Sequence, residues 1–250
     1  KVLPPTRVLD LTADDAGKCL KACYKKAFEY SDCWVDDSRL VILNARDAAK
    51  KGATVLTQTR VEKAERQQGK WKITANTKKS RKSKIFYSKA IVNASGPWVS
   101  DVSKLTFDEE DTNQIRLVKG SHIVTNKLFD HDRPYIFQQN DGRIIFAIPY
   151  EYDYTLIGTT DQDIKGDPGK AQCSPEEAQY LLKAAGEYFN KSISLDDIVW
   201  SYSGVRPLFD DGANSATSAT RDYSLELSTQ NDKLPLLNVY GGKITTYRRL

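Results

Sequence analysis

The feature that most constrains the fold is a long region of two-residue periodicity. Apolar and polar residues alternate in four segments, 115–125, 134–139, 143–150 and 155–160. Alternation of this kind is typical of strands that bury one face. Asn140-Asp141-Gly142, between two of the segments, is a strong hairpin signal. The region therefore predicts an antiparallel sheet, and we place a domain on it.

A helix is expected to follow this sheet. Ser174-Pro175-Glu176-Glu177 is a capping box with proline at the first helical position. Apolar residues then form one stripe at Ala178, Leu181, Leu182, Ala185 and Phe189. Helical spacing of this kind predicts a helix whose stripe faces the core. Further strands are predicted over 198–207 and 222–227.

The rest of the chain reads as an α/β pattern with a meander. A helix capped by Asp36 or Asp37 and ended near Gly52 is expected between strands over 28–35 and 53–56. A further helix is expected over 11–28. Three alternating segments, 59–64, 71–75 and 84–89, predict an antiparallel meander. The region 90–105 then predicts a short strand, a glycine turn and a short helix, and the polar segment 106–113 predicts a boundary loop.

The last seventeen residues predict a strand, a tight turn and the start of a helix. The apolar run 234–240 leads into Gly241-Gly242-Lys243. Glycines let the backbone approach a ligand, and a lysine adds positive charge at the same place. This stretch indicates one wall of a phosphate or cofactor site, although an ordinary strand–turn–helix fits the same residues.

Four other places combine an unusual backbone with reactive side chains. His122, in 119–122 (KGSH), is a candidate acid or base, although a single strand histidine is more often structural. Thr160, in 158–161 (GTTD), offers a hydroxyl that turn chemistry explains equally well. Arg206 and Arg221 suit bidentate recognition of a phosphate. If Arg206, Arg221 and Lys243 converge, they would suit a phosphorylated small substrate.

Composition excludes several classes of protein. Hydrophobic content is 40%, charged content 28% and net charge +4, which is typical of a soluble globular protein. No apolar run approaches the roughly 18 residues of a membrane span. The four cysteines complete no zinc set with a nearby histidine, so no metal is expected. The basic run 78–84 has no interleaved aromatic residue and predicts a solvated hairpin tip rather than a nucleic-acid site.

As a set, seven motifs resemble the aerobic, FAD-dependent glycerol-3-phosphate dehydrogenases. They follow the order of that family between residues 27 and 250. They are 28–40 (FEYSDCWVDDSRL), 92–98 (VNASGPW), 116–124 (RLVKGSHIV), 157–161 (IGTTD), 204–208 (GVRPL), 220–223 (TRDY) and 241–248 (GGKITTYR).

The resemblance implies a flavoprotein that oxidises sn-glycerol 3-phosphate to dihydroxyacetone phosphate and passes electrons to quinone. It implies an α/β fold with α+β character, in which a partial glutathione-reductase-type FAD domain with a meander accompanies a substrate domain on an antiparallel sheet flanked by helices. The expected division is 1–35 as a leading segment on the substrate domain, 36–105 as FAD domain, 106–203 as substrate domain, and 204–250 as a return to the FAD domain.

The resemblance also implies roles for single residues. Arg206, Arg221 and Lys243 would hold the substrate phosphate, with Thr160 as a further substrate contact. His122 would lie near the substrate hydroxyls as the candidate base, and it forms the expected catalytic set with Arg206 and Lys243. The expected FAD contacts are Val61, Ala94, Ser95, Gly96, Gly204, Gly241, Gly242, Ile244 and Thr245.

The chain also departs from the family. The family begins with Gly-x-Gly-x-x-Gly, which grips the FAD pyrophosphate, and this chain contains no such motif. The family's helical C-terminal region is missing as well. No methionine is present, and residue 250 falls within an expected helix, so we interpret the chain as an internal piece of a longer protein. We expect it alone to bind FAD weakly or not at all, and to be inactive.

Several expectations concern the parent enzyme and its surroundings. It is expected to be cytoplasmic, to associate peripherally with the inner membrane, to bind no nucleic acid and to be a candidate homodimer. Two alternatives remain open at this point. One is an oxidase-type flavoprotein that returns electrons to oxygen, and the other is a non-catalytic module that binds a phosphorylated ligand without flavin.

Overall fold

The fold is taken from a computed structural model, which describes residues 3–78, 83–107, 115–209, 222–228 and 234–250. Three sequence predictions lie partly or wholly outside these ranges: most of the basic hairpin tip, most of the boundary loop, and Arg221. Strands and helices of the described chain are β1 (Arg7–Asp10), β2 (Lys26–Glu29), α1 (Asp37–Lys50), β3 (Thr59–Gln67), β4 (Lys70–Thr77), β5 (Lys84–Ser88), β6 (Ile91–Asn93), α2 (Val99–Phe107), β7 (Ile115–Asn126), β8 (Tyr135–Gln138), β9 (Ile144–Tyr150), β10 (Tyr154–Gly158), β11 (Gln162–Asp163), α3 (Pro175–Tyr188), β12 (Ile198–Phe209), β13 (Tyr223–Ser228) and β14 (Leu236–Gly241).

The chain divides into two compact units, each made of two separate stretches. The first unit comprises Lys1–Cys33 with Val118–Val205, and the second comprises Trp34–Leu117 with Arg206–Leu250. The α/β fold with α+β character predicted from the sequence is confirmed, and the described part of the chain contains antiparallel sheets and few helices. Of the described helices, none is long and apolar enough to cross a membrane.

The first unit is built on an antiparallel sheet with strand order β11-β7-β10-β9-β8, in which β12 also pairs with β7. Helix α3 supplies Leu181 and Ala185, and the residue that follows it supplies Phe189, to a core shared with Ile123 and Ile157 of the sheet. The predicted capping box is present, because Ser174 and Glu177 exchange side-chain and backbone hydrogen bonds. The period-two region and the helix after it are therefore predicted correctly.

Residues 7–29 belong to the same unit and form an antiparallel pair of β1 and β2. Arg133 of the sheet region anchors this pair, because its guanidinium contacts Asp14 at 2.5 Å and Glu29 at 3.2 Å. Leu11 and Leu20 complete the anchoring by burying their side chains in the core.

The helix predicted over 11–28 is wrong. Side chains of Asp10 and Asp14 accept hydrogen bonds from backbone N–H groups two residues later, at 2.9 and 2.8 Å. Such local bonds compete with helix formation, and only a 3-10 turn, Asp15–Gly17, forms before β2. The strand predicted over 28–35 is also wrong beyond Glu29, where β2 ends.

The second unit contains two described three-stranded sheets. The meander β3-β4-β5 has the predicted antiparallel pairing, and the other sheet has strand order β13-β14-β6 with β14 and β6 parallel. Trp71, fully buried on β4, donates its indole N–H to the Pro235 carbonyl at 3.2 Å. The same ring packs with Ala64 and Leu236, so the meander and the end of the chain share one core.

Helix α1 begins as predicted, because the Asp36 side chain accepts the Arg39 N–H at 3.0 Å. It ends at Lys50, and Gly52 follows two residues later with a φ of 97°, the left-handed conformation that glycine favours after a helix. None of its fourteen residues is buried, and Val41, Ile42 and Leu43 are exposed. The strand predicted over 53–56 is wrong, because these residues form no strand pairing in the described chain.

Candidate functional site

His122 lies on β7 of the first unit, with its ring against β10. Gly158 is its register partner on that strand. A Cβ atom on Gly158 would lie 2.1 Å from Cδ2 and 2.8 Å from Nε2 of His122. Real Cβ contacts are never so short, so the imidazole occupies the space that any other residue would fill with its side chain. The half-buried histidine therefore depends on a glycine 36 positions later in the chain.

The Tyr202 ring lies parallel to that imidazole. Their centroids are 4.9 Å apart and their planes differ by 6°. Trp200 stacks on Tyr202 in turn, at 5.1 Å and 30°. Three rings thus follow one another from β7 along β12. Tyr202 was not predicted as part of a site, and Gly158 was singled out only as a member of the segment 158–161 that contains Thr160.

A buried ion pair lies in the same unit. Lys119 Nζ is 2.8 Å from Glu177 Oε2, and the two side chains are 11% and 10% exposed. The ammonium also donates to the Gln172 carbonyl at 3.1 Å. The pair joins β7 to the first turn of α3. From the sequence, Glu177 was identified only as a capping residue. A signal for the network was nevertheless present, because Lys119 and Ser121 lie on the same face of their strand as buried Ile123. Polar residues at core-facing positions need hydrogen-bond partners and so indicate such a network.

Three hydroxyl groups extend this ion pair into a network. Ser121 Oγ and Thr160 Oγ1 each donate to Glu177 Oε1 at 2.9 Å. The Ser174 backbone N–H donates to Oε2 at 2.9 Å. Ser121 Oγ also lies 2.7 Å from Ser203 Oγ of β12. Thr160 is buried here, and its predicted substrate contact stays a prediction.

The network holds Glu177 ionised. Burial is the largest single influence and opposes the charged form, but hydrogen bonds from Lys119, Ser174, Thr160 and Ser121 outweigh it. Together they lower the pKa of Glu177 below its ordinary value of 4.5. A carboxylate with this many donors is a structural anchor, and it joins the strand that carries His122 to Thr160 and to the start of α3.

His131 is held by structural contacts. Its Nε2 lies 2.8 Å from Tyr135 Oη, and its ring stacks on Phe129 at 4.8 Å. Burial is the main reason why its pKa is lowered. In the described ranges, no group of three or more His, Cys, Asp or Glu side chains is placed to hold a metal ion.

The predicted glycine turn lies in the second unit. Gly241 and Gly242 have φ values of 67° and 81°, which disfavour other residues. A Cβ on Gly242 would lie 3.1 Å from Tyr223 Cβ, and its N–H donates to the Asp222 carbonyl at 3.2 Å. Instead of a regular helix, the 3-10 turn Ile244–Thr246 follows.

The remaining predicted site residues of this unit have clear positions. Lys243 is exposed at the start of the 3-10 turn, and Arg206 is half-buried on β12. Ser95 donates to the Asn93 side chain at 2.6 Å, and Gly96 has a φ of 58°. Val61 lies at a bulge of β3, and Ala94 and Ile244 are exposed. Thr245 lies in the 3-10 turn, and its side chain is outside the described part of the structure. Gly204, which belongs to the first unit, has open space where a Cβ would stand.

Comparison with known proteins gives concordant matches. The family model for FAD dependent oxidoreductases matches residues 1–248. The D-erythritol 1-phosphate dehydrogenase of Brucella abortus is 46% identical over 250 residues, 100% of this chain and 50% of that protein. The aerobic glycerol-3-phosphate dehydrogenase of Escherichia coli is 46% identical over 235 residues, 94% of this chain and 47% of that protein.

A solved structure matches as well. The glycerol-3-phosphate dehydrogenase from Bacillus halodurans, complexed with FAD, has a TM-score of 0.75 at 30% identity and covers 90% of this chain and 42% of that one. The chain therefore spans about half the length of the relatives that it matches.

We predict that Gly158→Ala destabilises the first unit by about 1–3 kcal/mol, because the methyl group would overlap the His122 ring and force it to move. Gly186→Ala is the matched control, since a Cβ there meets nothing within 4 Å. In helix α3 that change should stabilise by about 0.5–1 kcal/mol. Hydrogen exchange of β7 and α3 amides measures both effects. Equal effects of the two changes would contradict the proposed packing.

We predict that Glu177→Gln destabilises the same unit by about 3–5 kcal/mol at pH 7, because Lys119 keeps a buried charge without its carboxylate. The wild-type advantage should be complete at pH values well above 4.5, the ordinary pKa of the Glu177 carboxyl in the unfolded chain. It should shrink as pH falls through the lower folded-state value. Urea unfolding from pH 7 to pH 3, read by exchange of β7 amides, measures this difference. Exposed Glu176→Gln is the control and should change stability by less than about 0.5 kcal/mol.

Proposed function

We propose a function from one premise: the chain belongs to the family of FAD-dependent oxidoreductases. The full-length protein that carries this chain oxidises the secondary hydroxyl of sn-glycerol 3-phosphate and gives dihydroxyacetone phosphate. The observation that carries the proposal is His122, an imidazole seated between Gly158 and Tyr202. The identity to the glycerol-3-phosphate dehydrogenase of Escherichia coli supports the choice of substrate.

His122 is the proposed general base. Oxidation of an alcohol removes a proton from its oxygen and a hydride from its carbon. A neutral imidazole nitrogen accepts such a proton when it lies within hydrogen-bond reach. When FAD is bound, it supplies the hydride acceptor.

The substrate phosphate is assigned to the cationic residues. Arg206 and Lys243 carry the charge, with Arg221 as a third candidate that lies outside the described ranges. A guanidinium matches two phosphate oxygens at once. Such contacts orient the reacting carbon rather than react themselves.

Residues of the second unit fit a flavin cofactor. Gly241 and Gly242 have positive φ, and the contact of Gly242 with Tyr223 leaves little room for a side chain. A glycine turn of this kind lets a planar ligand approach the backbone closely. Exposed Ala94 and half-buried Ser95 and Gly96 offer a second short polar edge. We propose that these two segments hold FAD.

The electron acceptor and location are also proposals. We propose quinone as acceptor, at the cytoplasmic side of the inner membrane, in a peripheral homodimer. These three points rest on the resemblance of the motifs to the aerobic enzymes. Peroxide formed in amounts equal to the substrate consumed would favour the oxidase alternative instead.

A second substrate has its own support. The D-erythritol 1-phosphate dehydrogenase of Brucella abortus matches the chain as closely as the glycerol phosphate enzyme does, and over the whole chain. D-Erythritol 1-phosphate also carries a hydroxyl beside a phosphorylated carbon, but it is one carbon longer. The same base and cations would therefore serve both substrates.

We predict that the full-length protein reduces an artificial electron acceptor with one of these two phosphates and not with glycerol. Arg206→Gln should lower kcat/KM about 100-fold, mainly through KM, because phosphate binding weakens. Arg143→Gln is the control, since Arg143 lies over the Tyr180 ring and pairs with Asp141 at 3.0 Å. Equal activity with glycerol would overturn the assignment of a phosphate ester as substrate. The ratio of kcat/KM between the two phosphates decides the substrate.

We predict that the 250-residue chain alone retains little FAD. It contains no pyrophosphate-gripping glycine fingerprint, and no residue of α1 is buried. The visible absorption of the purified chain, before and after incubation with excess FAD and gel filtration, is the measurement. The full-length protein serves as positive control. Flavin absorption that corresponds to one FAD per chain after gel filtration would contradict this prediction.

A further inference from the structure

We propose that Tyr202 is a positioning residue that fixes the ring plane of His122. The proposal rests on the function assigned to His122 above, because a general base needs a fixed ring orientation and Tyr202 would supply it. Tyr202 itself receives no proton and is given no contact with the substrate. Its contribution is the flat surface that it presents to the imidazole.

The torsion that sets a histidine ring plane is intrinsically loose. Rotation about the bond between Cβ and the ring has a broad energy profile, so the backbone of β7 does not determine where Nε2 points. Packing on both sides has to do so. Gly158 of β10 bounds the ring on one side, because the ring fills the space that a side chain at position 158 would occupy.

Tyr202 supplies a flat boundary on the ring. Parallel planes within 6° and a centroid distance of 4.9 Å describe a stack in which rotation of the imidazole would collide with the phenol ring. Trp200 stacks on the same tyrosine and restrains it in turn. Because the π face of a tyrosine attracts a cation, this surface also suits the imidazolium that forms once His122 has accepted a proton.

The strand that carries Tyr202 is tied to β7 one residue away. Ser203 and Ser121 follow and precede the stacked pair, and their hydroxyl oxygens are 2.7 Å apart. Ser121 in turn donates to the buried carboxylate of Glu177 at 2.9 Å. The stack and the hydroxyl contact therefore join the same two strands at adjacent residues. This arrangement fixes Tyr202 relative to His122 more firmly than a surface aromatic pair would be fixed.

The first test is nuclear magnetic resonance of the imidazole groups in the 250-residue chain. The chain has two histidines, so His131 is an internal reference. In the unmodified chain we expect nuclear Overhauser contacts between the ring protons of His122 and Tyr202. Tyr202→Leu should shift the His122 ring protons by removing the ring current, and leave those of His131 unchanged. Tyr202→Phe should keep the His122 shifts close to wild type.

The second test is kinetic and uses the full-length protein. Tyr202→Leu should lower kcat about 10- to 100-fold, because a base displaced by a fraction of an ångström loses efficiency, while KM stays within about twofold. Tyr202→Phe should restore most of kcat. Tyr24→Leu is the control, since it removes a tyrosine stacked on Tyr188 at 5.1 Å and 20° in the same unit and should leave kcat within about twofold.

The outcomes separate this proposal from the function on which it rests. Absent contacts between His122 and Tyr202 in the unmodified chain overturn it even if the leucine variant fails to fold. A Phe variant as slow as the Leu variant overturns it too, because the aromatic face would then not be what matters. If the chemical shifts of the His122 ring protons respond as expected but the full-length protein oxidises neither phosphate, the proposed function is wrong. The proposal that Tyr202 orients the His122 ring is then still supported.

Discussion

The rest of the first unit depends on one buried carboxylate. Glu177 lies at the start of α3 and accepts from Lys119, Ser121, Thr160 and its own cap, Ser174. Isolated in an apolar interior, a carboxylate would take up a proton. With these donors it stays ionised and joins three chain segments: residues 119–121 of β7, Thr160 and the start of α3. The strand that presents Tyr202 is linked to this polar centre through Ser121, whose hydroxyl oxygen lies 2.7 Å from Ser203 Oγ.

The candidate site lies on one face of β7, and the carboxylate network lies on the other. Ser121 and His122 are neighbours on β7, and side chains of successive strand residues point to opposite faces. Ser121 enters the carboxylate network, and His122 meets Gly158 and Tyr202. This arrangement keeps the buried charges of Glu177 and Lys119 on the face of β7 opposite to the imidazole of His122. It is consistent with the fixed orientation that the proposed base requires.

Local pattern predicted most of the fold, because most of it follows from local periodicity. The period-two segments, the capping box before α3 and the Asp36 cap of α1 each depend on a few adjacent residues. The helix expected over 11–28 failed because local side-chain bonds of Asp10 and Asp14 compete with it, and because Leu20 pairs with Phe189, far along the chain. Likewise, the sequence singled out His122 but not Tyr202, 80 residues away, or Glu177, 55 residues away. Contacts at that range require the register of strands that a single sequence does not reveal.

The order in which the ribosome delivers the chain has a consequence for the second unit. Its parallel pair joins β6 to β14, and Asn93 donates to the Asn238 side chain at 2.9 Å across 145 positions. Trp71 reaches its carbonyl partner across 164 positions. Closing loops of this length is slow, because chain entropy is lost before contacts compensate for it. During synthesis the core around Trp71 therefore stays incomplete until residues 235 and 236 emerge, because the carbonyl that accepts its indole N–H and the buried Leu236 arrive last.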